Sequence, residues 1–200
     1  MDRLIQTTIF TKKELVIHGT GFSYKQSKFG NETEVIIPFE NLSNQKVSFK
    51  KTELGFLASS GLFFLVALSS VWSYIEGGKD SATPDMIIGF SVVSLFLMGA
   101  YIFNRQDLWK IILLNHAPVL IHKSKPDAET TFEFYDSLIE ARNTYLKENY
   151  AFLDKDLNYE DQLKNLKWLK NMGVLTKEEF DDKYAELKNF IYLISTIGYN

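Results

Sequence analysis

The sequence predicts an α+β membrane protein. An antiparallel β barrel or sandwich with a C-terminal helix is split by an inserted transmembrane helical hairpin and followed by a small helical hairpin. Three features carry this prediction. Two long stretches hold no charge, GFLASSGLFFLVALSSVWSYI (55–75) and MIIGFSVVSLFLMGAYIFN (86–104). Short strand-like runs punctuated by Gly- and Asn-containing turns fill the chain before the first stretch and just after the second. The last part is rich in Lys, Glu, Asp and Leu, and sets a glycine stop beside a helix-capping sequence. The segments implied are 1–54 and 105–150 for the two halves of the β domain, 55–104 for the membrane hairpin, and 151–200 for the helical hairpin and tail.

At about 1.5 Å rise per residue, each apolar stretch crosses a hydrocarbon core of roughly 30 Å. Some fifty polar, strand-patterned residues precede the first, which argues against a signal peptide. Lys46, Lys50 and Lys51 precede the first span, and Arg105 and Lys110 follow the second, whereas the connector 76–85 carries one Lys against three acids. Positive-inside bias then places both termini in the cytoplasm and the connector outside. Trp72 and Tyr74 fall at the outer interface, and Tyr101, Phe103 and Trp109 at the inner one. Thr83-Pro84-Asp85 reads as a helix start, with Thr as N-cap, Pro in the first turn and an acid at the positive dipole end. Neither span holds an ionisable residue, which argues against a proton relay or transport site. Gly55/Ser59 and Ser69/Ser73 have the small-xxx-small spacing that lets helices approach closely.

In the first β half, Ile5, Thr7, Ile9 and Thr11 share one face, and KELVIHG gives a second strand. His18-Gly-Thr-Gly21 and Ser27-Lys-Phe-Gly-Asn31 are turns leading into FSYKQ and ETEVIIPF. The run Lys46–Lys50 alternates strictly, which predicts Val47 and Phe49 inward and Lys46, Ser48 and Lys50 outward. After the second span, LWKIILL and VLIHK flank a turn at Asn115-His-Ala-Pro118. An amphipathic helix then places Tyr135, Leu138, Ile139, Ala141, Tyr145 and Leu146 on its dry side.

Near the C-terminus, Leu163, Leu166 and Leu169 form an apolar stripe on a helix that also carries Trp168 and stops at Met172-Gly173. Thr176-Lys-Glu-Glu179 is a capping box for a second helix with Phe180, Tyr184, Leu187 and Ile191. Such a unit is too small to bury a full core alone. Leu163, Leu166, Trp168, Leu169, Leu175, Phe180, Tyr184 and Leu187 are therefore candidate contacts to a partner or a second copy. The tail 192–200 is apolar and β-branched, and is compatible with more helix, a strand or a docking segment.

Composition narrows the chemistry. Of 200 residues, 46% are hydrophobic and 24% charged, which excludes a disordered chain. Lys+Arg number 22 against 25 Asp+Glu, a net charge of −3, so nucleic acid is not an expected partner. No cysteine is present, so disulfides, thiolate metal sites and a cysteine nucleophile are all excluded. His18, His116 and His122 stand apart in sequence and read as surface or capping residues. Glu178/Glu179 and Asp181/Asp182 read as a solvated helix face beside the positive dipole end. GTGF (19–22) and EGGK (76–79) lack the spacing of a phosphate-binding loop, and no hydrolase or metalloprotease motif occurs. No catalytic residue, metal site or cofactor is expected. Lys46, Lys50, Lys51, Arg105 and Lys110 are instead candidate lipid-headgroup contacts, and Lys46, Lys50 and Lys51, within ten residues of the first span, each gain about 1 kcal/mol at an anionic leaflet.

The strand order, the phrase VIIPFENLSNQKVSF (35–49) and the close KIILLNHAPVLIHK…FEFYDSLIEARNTYL resemble the bacterial pleckstrin-homology-like domains, some of which carry a two-helix membrane hairpin inside the β domain. The likeness covers roughly residues 1–150. It implies a seven-stranded, partly open barrel with a C-terminal helix at the inner leaflet of a bacterial cytoplasmic membrane. It carries over no catalytic residue. Gly173, Val174, Leu175, Thr176, Glu178, Glu179 and Phe180 resemble the short C-terminal (SHOCT) domain, which implies a docking or oligomerisation piece. The expected function is a non-enzymatic inner-membrane scaffold or sensor, with membrane lipids and a second copy or another protein as partners. The alternative is a membrane-perturbing effector, of toxin or anti-phage type, that oligomerises through its hairpin.

Overall fold

The computed structural model describes residues 1–8, 11–52, 54–77, 81–103, 105–115 and 117–197, the side chains of 191–197 excepted. The chain divides into two compact units, 1–48 with 109–200, and 49–108.

In the first unit, β1 (Arg3–Thr7), β2 (Thr11–His18), β3 (Gly21–Lys28) and β4 (Asn31–Pro38) form an antiparallel sheet in that order. Each connection is short, so consecutive strands pair as hairpins. The β3–β4 turn is Phe29-Gly30, with φ of 50° and 83°. Two central residues in the left-handed region fit the right-handed strand twist. Gly21 is required for a different reason: a Cβ there would press on the backbone of Ile37, whose carbonyl carbon would lie 3.0 Å away.

A 3-10 turn (Phe39–Asn41) leads into a second antiparallel sheet of β5 (Leu42–Lys51), β6 (Gln106–Leu113) and β7 (Val119–His122). The segment 52–105 thus departs and returns between two strands that are neighbours in one sheet. α3 (Ala128–Tyr150) opens on Asp127, whose carboxylate accepts from the Thr130 amide at 2.7 Å. This helix starts earlier than its apolar stripe alone suggests, because the Asp127 cap fixes its first turn. One core gathers Leu4, Leu15, Phe22, Ile37, Phe39, Leu42, Ile111, Ile121, Phe134 and Leu138 from both sheets and α3. Each such burial is worth about 1.5–3 kcal/mol.

In β1, Ile5 and Thr7 share one face as expected, and it is the exposed one; the buried residues are Leu4 and Gln6. The Gln6 side chain is the reason. It donates to the carbonyls of His122 (2.8 Å) and Lys125 (2.6 Å) and accepts from the His122 amide (2.8 Å). A side-chain amide thereby bridges β1 to β7, which share no ladder. In β5 three residues depart from the expected faces: Val47 and Phe49 are exposed and Lys46 is half-buried, whereas Ser48 and Lys50 are exposed as expected. Period two puts Lys46 on the side of buried Leu42, and aromatic rings there accommodate its ammonium.

α4 (Tyr159–Asn171) and α5 (Lys177–Ile197) complete the first unit. α4 ends as the sequence predicts. Gly173 lies at φ 68°, its amide bonds the Lys170 carbonyl, and the Val174 amide bonds that of Leu169, which is the Schellman arrangement. The capping box is reciprocal: the Thr176 hydroxyl accepts from the Glu179 amide at 3.1 Å, and the Glu179 carboxylate from the Thr176 amide at 2.9 Å. The backbone of the tail stays helical to Ile197, and 198–200 lie outside the described residues.

The second unit is an α-hairpin of α1 (Leu54–Glu76) and α2 (Pro84–Phe103), both long and apolar enough to cross a membrane. Only 11% and 6% of their most apolar windows are buried, unlike the core helices of a soluble protein. Their buried positions are Ser60, Ala67 and Ser70 against Ser94, and the half-buried Phe56, Phe63, Ile87, Phe90, Leu97 and Tyr101 continue the same spacing of three and four residues. Residues at that spacing share one face of each helix, so the two helices pack along a continuous seam. Ser60 and Ser94 lock it, each hydroxyl donating to the other's backbone carbonyl at 3.0 Å. Phe63 meets Phe90 at 6.3 Å between ring centroids. Of the two small-residue pairs, Gly55, Ser59 and Ser69 lie exposed outside this seam, while Ser73 is half-buried and its hydroxyl accepts from the Ala82 amide at 3.3 Å.

Candidate functional site

The candidate lipid contacts have different surroundings. Lys50 and Lys51 end β5, Arg105 precedes β6 and Lys110 lies within it, and all four are exposed. Lys46 is held otherwise. Its ammonium lies 4.1 Å from the ring centroid of Trp109, 3.9 Å from Tyr135 and 4.6 Å from Phe132. The rings are tilted to one another, Trp109 standing 6.2 Å from Phe132 at 61° and 6.0 Å from Tyr135 at 56°. They form three walls of a box around one cation. Burial pushes the Lys46 amine below its ordinary range, partly offset by the Asp136 carboxylate. Trp109, which the sequence places in an interfacial belt, packs here from β6. Phe132 and Tyr135 come from α3, three residues apart and so on one helix face.

One residue that the periodicity missed joins the parts of this unit. Arg142 is fully buried on α3. Its guanidinium donates to the Leu42 carbonyl at the start of β5 (2.7 Å), to the Asn143 side chain (2.7 Å), and to the Met172 carbonyl at the end of α4 (3.2 Å). Its only sequence signal was a charge among apolar positions on the dry side of the helix. A second tie lies beside it, where the Asn44 side chain covers Gly173 so closely that any Cβ would collide with it. Further along α3, Glu40 accepts from the hydroxyls of Tyr145 (3.2 Å) and Tyr150 (2.9 Å).

The candidate partner contacts divide in two. Leu166, Leu169, Leu175 and Leu187 are buried in this chain's own second core, with Leu146, Ala151 and Val174, and Phe180 packs at its edge. The small hairpin thus completes its core on α3. Leu163 and Trp168 are only half-buried and, with Tyr159, Lys164, Lys167 and Asn171, line an outward groove of about 550 Å³. Tyr184 stacks on Phe180 at 5.9 Å, with Lys188 4.4 Å from its ring.

Of the histidines, His18 bonds the Ser23 hydroxyl at 3.0 Å and His116 lies outside the described residues. His122 is buried, and burial, with Lys13 and Lys125 nearby, pushes its imidazole down to about 4. Among the described residues no three His, Asp or Glu side chains gather as metal ligands. Comparison with known protein families, curated proteins and solved structures gives no match to this chain.

Proposed function

We propose that this chain is a two-pass protein of the bacterial cytoplasmic membrane that works as a scaffold or sensor and catalyses no reaction. The observation that carries this reading is connectivity: the apolar hairpin leaves and re-enters between β5 and β6, adjacent strands of one sheet. Any displacement of the hairpin therefore acts on a paired ladder, and through Arg142 on α3 and α4. The hairpin itself suits an anchor, since its buried serines are satisfied within one chain. A pleckstrin-homology-like β domain is supported by sheets of four and three strands with a closing helix. A SHOCT-like hairpin is supported by the Gly173 stop and the Thr176/Glu179 box. Its outward groove at Leu163 and Trp168 is the contact surface for a second copy or another protein, and the exposed Lys50, Lys51, Arg105 and Lys110 meet lipid headgroups.

The test is to induce the intact chain and a version with residues 55–104 scrambled, following membrane potential and cell fractionation. The intact chain is expected in the membrane fraction without depolarisation, and the scrambled chain outside it. Depolarisation by the intact chain alone would contradict the scaffold and support a membrane-perturbing effector.

A further inference from the structure

The box around Lys46 has chemistry that its present occupant does not use fully. A primary ammonium carries three N–H donors, and aromatic faces accept them poorly. Among the described residues, Lys46 makes no hydrogen bond or ion pair, only the three ring contacts. A quaternary ammonium has no donors to leave unsatisfied. Its diffuse charge suits aromatic walls, and such cages are the established means of holding choline-like groups. One wall, Phe132, is half-exposed, and Asp136 adds a negative field beside the box. Lys46 is attached through a flexible four-carbon stem, so its head can leave without moving β5.

We propose that Trp109, Phe132 and Tyr135 form a binding site for a quaternary ammonium group, either a phosphocholine-type lipid headgroup or a free choline-like solute, with Lys46 as a displaceable internal occupant. On displacement the Lys46 ammonium returns to solvent, where it can pair with the phosphate of a phosphocholine ligand. The site does not depend on the scaffold reading, because its residues all belong to the first unit.

The test titrates the full chain in a maltoside detergent with tetramethylammonium and follows the indole N–H resonance of Trp109, assigned with Trp109→Phe. Lys46→Ala should give a saturable shift. The unaltered chain should bind about tenfold more weakly, because its competent state is mostly occupied. The uncharged carbon isostere of the probe should give no saturable shift, and Phe132→Ala added to Lys46→Ala should abolish the response while the other two indole signals stay in place. The proposal is overturned if Lys46→Ala shows no saturable shift, if the isostere binds equally well, or if Phe132→Ala leaves the response unchanged. Nanodiscs then separate the sources. If lipid is the ligand, Lys46→Ala in phosphocholine discs shows Trp109 already at its saturated position, and in phosphoglycerol discs it responds to added probe. Equal responses in both discs assign the site to a free solute.

Discussion

Arg142 shows how one buried cation can organise a fold through backbone carbonyls. Its donors reach β5 and α4, so the charge is spread over dipoles that stand far apart in sequence. Arg142→Ala leaves the Leu42 and Met172 carbonyls without these donors and opens a cavity, and should cost about 3 kcal/mol or more. Limited proteolysis should show α4 and α5 becoming cleavable before the β strands do. Simultaneous loss of both would mean that Arg142 supports the core generally and is not a specific tie. His122 makes a separate prediction. Its imidazole is held near 4 when folded, against about 6.5 unfolded. Between those values the unfolded chain binds more protons, so stability rises with pH across the window and is lost as pH falls through it. Urea midpoints at pH 7 and pH 4.5 should differ more for the native chain than for His122→Gln.

At the level of elements, caps and turns were the most legible features. The Gly173 stop, the Thr176/Glu179 box and the Phe29-Gly30 turn are local, each written within four residues, and each has the expected geometry. Thr176→Ala should cost about 1 kcal/mol by thermal or urea unfolding, with Thr176→Ser restoring most of it. The spans were equally plain, but their mutual face was not. Gly55/Ser59 has the right spacing for close packing, yet the helices meet at Ser60 and Ser94, because a seam is chosen by both helices together. A Ser60→Ala, Ser94→Ala cycle should give a coupling of about 0.6–1.7 kcal/mol in micelles. Strand faces were legible in part: Ser48 and Lys50 point outward as read, and Lys46, Val47 and Phe49 do not follow the reading. Val47 and Phe49 look like the inner side of β5 until the rings of Trp109, Phe132 and Tyr135, distant in sequence, make an inward place for Lys46. Gln6 and Arg142 were hidden for the same reason: each is an acceptable core member only because a partner a hundred or more residues away satisfies it.

For the whole molecule, the β domain, α3 and the C-terminal helices belong to one unit while the apolar hairpin stands as another. The leucines that suggested an oligomerisation surface are largely spent on the chain's own second core. The contact to a second copy proposed above is therefore placed at the outward groove of Leu163 and Trp168. Trp168→Ala with Lys167→Glu should lower the native mass in nanodiscs without unfolding the protein, and an unchanged oligomer would remove that surface from the account. The central claim is a two-pass anchor with the β domain inside, and topology tests it most directly. The chain has no cysteine, so Ser81→Cys and Ser124→Cys each introduce a single label site. With an impermeant thiol reagent on intact cells, Ser81→Cys is expected to label and Ser124→Cys to label only after lysis. Labelling of Ser124→Cys on intact cells would contradict the orientation, and a Ser81→Cys that labels only after lysis would contradict the membrane-crossing hairpin.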